Sequence, residues 1–168
     1  MLIDDFSGQD LTSKLGTQWR GVSDKVMGGI SEASVAQGLN DDRPCLLLTG
    51  DVRLENDGGF IQAALDLAMP GGTFDASAFA GVRLVVRGND ERYSVHLRTP
   101  KNIRPWQSYR AHFTAAPDWE TIDLPFPTFS PYRLDTPLDI NRLRRIGLVA
   151  IGRAFNANLV VSEVGFFS

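Results

Sequence analysis

The sequence predicts an all-β, antiparallel sandwich, and three observations carry that reading. Short apolar and β-branched runs recur along the chain, as in "CLLL", "VRLVV" and "NLVV". Turn-forming segments such as "GLNDDRP", "MPGGTFD" and "GNDE" separate them at spacings of roughly 8 to 12 residues, the punctuation of a sandwich or barrel. Within several runs apolar and polar residues alternate, as they do in strands with one buried face.

In chain order the expected strands begin with "LIDDF", "EASVAQG", "PCLLLTGDVRL" and "GFIQAALDL". The single cysteine, Cys45, opens the apolar part of the third and reads as a reduced, buried thiol. In "GVRLVVRG" Val82, Leu84 and Val86 share one face and Arg83 and Arg87 the other. In "RYSVHLR" Tyr93, Val95 and Leu97 oppose Ser94, His96 and Arg98; in "SYRAHFTA" Tyr109, Ala111 and Phe113 oppose Arg110 and His112. "WETIDLPF" follows, and "LPFPTFSPY" reads as an extended segment crossing the sandwich, its prolines blunting an edge. "RIGLVAIG" and "NLVVSEVGFF" close the series. Helix is scarce, with single turns expected at "SAFA" and "DINRLRRIG". Trp19 and Trp119 are expected at the core or its edge and Met27 as core filling, whereas Trp106 sits in the polar loop "TPKNIRPWQ".

The length, 168 residues, sets one domain over 1–168 as the expectation. Hydrophobic residues make up 43% and charged residues 22%, the range of an ordinary globular protein, and the net charge of −3 argues against bulk nucleic-acid binding. No apolar run approaches the ~20 residues that span a bilayer, so no membrane insertion is expected. The start, "MLIDDFSGQD", has neither the basic nor the apolar region of a targeting peptide, and with one cysteine it points to a cytoplasmic protein.

Two stretches stand out: "VSDKVMGGIS" at 22–31 and "LENDGGFIQA" at 54–63, each an acidic turn-former, a Gly pair and an apolar exit. Neither Gly pair lies in a phosphate loop or a dinucleotide fingerprint. The structural reading is that Ser23 and Asp24, and likewise Asn56 and Asp57, cap turns, while Gly28, Gly29, Gly58 and Gly59 supply positive φ or close backbone approach. It predicts that 22–31 and 55–60 lie together in space. A calcium site using Asp24, Glu55 or Asp57 is an alternative, without any loop signature. One Cys and two His make a zinc site poor, His96 and His112 sit mid-strand where a catalytic triad does not need them, and Asp24 with Glu55 is weak evidence for acid–base work. No cofactor, no metal and no enzymatic activity are expected.

"WRGVSDKVMGGIS", "GDVRLENDGGFIQ", "FAGVRLVVRGNDERYSVHLRT", "YRAHFTA", "WETIDLPFPTFSP" and "RIGLVAIG" together resemble the complex I intermediate-associated protein family, in order and over nearly the whole chain. The resemblance implies a jelly-roll β-sandwich of the galactose-binding-domain-like type. It also implies a non-catalytic, chaperone-like assembly factor whose partner is another protein, such as a subunit or assembly intermediate of the respiratory NADH:ubiquinone oxidoreductase. A carbohydrate-binding module of the same sandwich type is the alternative, for which Trp106 and Tyr132 are the loop aromatics available.

Alternation also nominates a binding face. If 82–87, 93–98 and 109–113 are neighbours in one sheet, Arg83, Arg87, His96, Arg98, Arg110 and His112 share its outer surface, bordered by Arg104 and Trp106. Arginines gathered with a tryptophan in an acidic protein have the composition of an interface hot spot; a solvated, charge-balanced strand face is the plain alternative.

Overall fold

Alternating runs fold as expected into two facing antiparallel sheets in a computed structural model that describes residues 1–168, the side chain of Asp57 excepted. The strands are β1 (Leu2–Asp4), β2 (Arg20–Ser23), β3 (Ser34–Asn40), β4 (Arg43–Val52), β5 (Phe60–Asp66), β6 (Gly81–Arg87), β7 (Arg92–Arg98), β8 (Ser108–Thr114), β9 (Glu120–Pro125), β10 (Ser130–Tyr132), β11 (Arg145–Ile151) and β12 (Phe155–Phe167). The first sheet runs β3-β4-β12-β6-β9, with β1 also on β12, and the second runs β10-β8-β7-β11-β5-β2. The result is an all-β jelly-roll sandwich.

The inward faces are the predicted ones. Leu46, Leu48, Val82, Leu84 and Val86 of the first sheet meet Tyr93, Val95, Leu97, Tyr109 and Leu148 of the second in one continuous core. Each such side chain contributes roughly 1.5–3 kcal/mol by leaving water. The central strand β12 spans its sheet, pairing with β4 through its first half and β6 through its second, with a register shift between Val161 and Glu163. Trp19 is buried as expected and donates its indole N–H to Asp4 at 2.9 Å. Cys45 is also buried, and burial pushes its thiol pKa up.

Several expectations need correction. β6 is in the first sheet while β7 and β8 are in the second, so the three arginine-bearing strands do not share a face. Alternation with period 2 fixes which side of a strand faces the core, not which sheet it joins. The short link at 88–91 turns the corner between sheets: Asp90 takes φ 63°, and a Cβ on Gly88 would crowd Ala115 and the Asn158 carbonyl. The helical turns fall at 24–27, 55–57 and 126–128 as 3-10 turns, not at "SAFA" or "DINRLRRIG". Met27 is exposed, and Trp119 lies outside the core beneath the Arg43 guanidinium at 4.7 Å, donating its N–H to Asp41 at 3.0 Å. The short edge strands β2 and β10 occupy stretches read as turn and connector; the expected proline-bearing edge is β10, with Pro131.

Candidate functional site

The two Gly-pair stretches meet at one carboxylate. Ser23 caps the 24–27 turn, its hydroxyl accepting from the Lys25 N–H at 3.2 Å, and this turn delivers Asp24 into the interior at 0% exposure. Asp24 accepts from the Ser31 N–H at 2.9 Å, the Ser31 hydroxyl, the Gly59 N–H at 2.5 Å and the Phe60 N–H at 3.3 Å. The Ser31 hydroxyl in turn accepts from the Arg53 N–H at 2.8 Å. Burial pushes the Asp24 carboxyl up, but the hydrogen bonds from Ser31, Gly59 and Phe60 outweigh it and hold the group below its ordinary range.

The glycines split into two kinds. Gly28 (φ 87°) and Gly59 (φ 133°) take backbone conformations that favour glycine, whereas Gly29 and Gly58 are needed because a Cβ would collide with the Asp24 carboxyl. Asn56 contributes a left-handed backbone at φ 58°, and the expected cap by the Asp57 side chain lies outside the described residues. Asp24 Oδ2 accepts three of these bonds and Oδ1 one, so the carboxylate is engaged by protein donors, and Glu55 pairs with Arg53 at 2.7 Å. Among the described residues no cluster of His, Cys, Asp and Glu forms a metal site.

This knot builds one bank of a groove of about 780 Å³ across the outer face of the second sheet. On that bank the 24–27 turn and the segment before β5 present Val26, Met27 and Leu54. At the opposite ends of the strands, the loop joining β7 to β8 presents Ile103, Pro105 and Trp106, with Tyr132 of β10 beside them. Ile103 is 77% exposed and Trp106 43%, unusual for side chains of this kind. The floor comes from outward positions of the central strands, including His96, Arg98, Arg110, Arg145 and Gly147. Gly147 keeps the floor open, since a Cβ there would meet the Gln62 amide oxygen.

His96 is 8% exposed on this floor, its Nε2 at 2.9 Å from the Ser94 hydroxyl and its Nδ1 at 3.5 Å from that of Ser108. Burial, then the positive charges of Arg110, His112 and Arg98, hold it well below the ordinary imidazole value, so the ring is neutral near pH 7. Arg98 donates to the Pro105 carbonyl at 2.9 Å and the Asn102 carbonyl at 3.2 Å, fixing the far bank to the floor. Arg110 donates to the Ser108 hydroxyl at 2.8 Å and the Trp106 carbonyl at 3.2 Å, with its guanidinium 3.6 Å from the centre of the Tyr132 ring.

Of the eight residues nominated for binding, the structure thus brings together His96, Arg98, Arg110 and Trp106. His112 is exposed farther along the same face of β8, and Arg104 lies in the Trp106 loop without lining the groove. Arg83 and Arg87 are on the other sheet and engaged there, Arg83 with Asp123 at 2.7 Å and Arg87 with Asp41 at 2.6 Å. The aliphatic banks are not evident from strand alternation. The available signal was the position of Val26, Met27 and Leu54 on turns beside the Gly pairs, where a large apolar side chain has no strand face to bury it.

The fold is shared with solved structures of low identity. The family 11 carbohydrate-binding module of a cellulosomal cellulase from Clostridium thermocellum aligns over 100% of this chain and 94% of its own, with TM-score 0.73 and 17% identity. The same family's module solved with a β-1,3-1,4-mixed-linked tetrasaccharide gives 0.72 and 18% over 99% and 94%. A family 30 carbohydrate-binding module from the same organism gives 0.70 and 13% over 100% and 98%. No curated protein matches the chain. The model of the family described as complex I intermediate-associated protein 30 matches residues 5–161, and the chain belongs to that family.

Proposed function

We propose that this chain is a non-catalytic module that holds another protein in the groove of the second sheet, acting as an assembly factor for a respiratory complex. The observation that carries the reading is the groove itself: two banks of exposed apolar side chains face each other across a floor held rigid by hydrogen bonds. Exposed apolar side chains gathered at one site mark an interaction surface, and family membership supplies the kind of partner. The test is capture from native lysate on the immobilised chain, with mass spectrometry of what is retained. Respiratory complex I subunits are expected on the wild type and absent from Trp106→Asp, an exposed position whose change leaves the core intact. Capture of those subunits by both proteins alike would rule out the groove.

Carbohydrate binding is the second reading, favoured by the shared fold and by Trp106 as a stacking surface. Retention on a glycan array without any captured subunit would establish it instead.

A further inference from the structure

The floor of the groove holds two cations, Arg98 and Arg110, that no carboxylate among the described residues neutralises. The other half-buried arginines are matched: Arg87 with Asp41, Arg145 with Asp66 and Arg153 with Glu91. Among the described residues Arg98 and Arg110 have no such partner, although both are partly buried. Each guanidinium has five N–H donors, and the neutral oxygens they reach leave several unfilled. Register makes the arrangement costlier still. Arg98 stands directly opposite Arg145 on β11, and Arg110 opposite neutral His96 on β7, so three arginines lie on one face of three neighbouring strands. Burial pulls Arg98 and Arg110 below their ordinary value, and His96 stays neutral between them.

We propose that the occupant of this groove is an extended polypeptide segment that sets a carboxylate against Arg98 and Arg110 and apolar side chains against the Met27–Leu54 and Ile103–Trp106 banks. The inference rests on the reading of the groove as a protein-binding site and deepens it. Guanidinium forks match carboxylates in geometry and charge. The aliphatic side chains of the banks adapt to inserted side chains, as Met does at binding surfaces. A neutral glucan is the poorer fit: it wants open aromatic platforms, and the Tyr132 ring is covered by Arg110, which leaves Trp106 alone.

The test uses the full chain and a fluorescein-labelled decapeptide alternating Glu with Leu and Phe, beside counterparts with Gln or Lys at every Glu. Fluorescence anisotropy is expected to show the Glu peptide binding at least tenfold tighter than the Gln peptide, the Lys peptide weakest, and the preference shrinking as salt rises. Arg98→Gln with Arg110→Gln should abolish the preference for Glu over Gln, while Trp106→Ala weakens both peptides alike. Arg98 also pins the bank loop, so Arg110→Gln alone, expected to reduce the preference severalfold, decides the matter should the double variant not fold. Equal affinity for Glu and Gln peptides, or no binding of any peptide, overturns the inference. Binding of the mixed-linkage tetrasaccharide but of no peptide overturns it too. The parent reading is scored separately: if complex I subunits are captured and Arg110→Gln does not change that, the groove binds protein and the carboxylate preference alone is wrong.

Discussion

Asp24 accepts from three backbone N–H groups and from the Ser31 hydroxyl, which also reaches the Arg53 carbonyl at 3.1 Å. Replacing it with Ala leaves the Ser31, Gly59 and Phe60 N–H groups unpaired in the interior. At about 1–3 kcal/mol for each orphaned donor, Asp24→Ala should cost about 3 kcal/mol or more. For a chain of this size that lowers the Tm by roughly 6–12 °C in a thermal melt. The adjacent glycines separate two mechanisms. Gly28→Ala should cost about 1 kcal/mol through its left-handed backbone alone, and by the same amount whether or not Asp24 is present. Gly29→Ala should cost more in the wild type and less beside Asp24→Ala, because the two nearest obstacles are carboxyl atoms and only the Asp24 Cβ at 2.9 Å remains. Equal costs in both backgrounds would remove Asp24 from the explanation. The pH dependence has two windows. His96 has a folded pKa below 6.5, so the unfolded chain binds the extra proton and stability falls as pH drops below 6.5; His96→Gln should flatten urea midpoints there. Asp24 is also depressed, so its contribution is present above 3.8 and is lost as pH falls through the folded value. Asp4 runs the other way: burial raises its pKa, so its ionisation takes stability away as pH rises above 3.8, and only single variants separate the pair.

At the scale of the element, the placement of β6 makes a direct prediction. Arg83→Glu sets a negative charge against Asp123 on the neighbouring strand and should cost under 1 kcal/mol, because the pair is exposed. It should leave capture of the partner unchanged, since Arg83 is on the sheet away from the groove. Loss of capture in this variant would contradict the assignment of the binding face. The same element marks the limit of what the sequence makes legible. Val82, Leu84 and Val86 reveal an inward face because period 2 is local information. The corner at Asp90 depends on contacts between residues far apart in sequence, such as Gly88 against Asn158, and leaves no local trace beyond a turn. β10 is legible only as a proline-bearing extended edge, because three residues including a proline are too few to show alternation.

Across the whole molecule, the two outer surfaces of the sandwich differ in charge pairing and in apolar exposure. The outer face of the first sheet carries Arg83 and Arg87, both matched by acids, while that of the second gathers Arg98, Arg110 and neutral His96 between apolar banks. Half of this site is legible in sequence, because strand alternation puts His96, Arg98 and Arg110 on one face and the loop brings Trp106 beside them. The opposite bank is not, because its distance from that loop is set by the Asp24 knot and the β2–β5 pairing. The claim that this face docks a polypeptide is tested most directly by photo-crosslinking in cells, with benzoylphenylalanine placed at Ile103 on the groove and, as a control, at Leu39 on the edge strand β3 of the other sheet. Both positions are open to solvent, at 77% and 72% exposure, so reactivity is matched and only location differs. A discrete crosslink to a respiratory complex I subunit is expected from Ile103 and none from Leu39. The same product from both positions, or a discrete product from Leu39 alone, would contradict the claim.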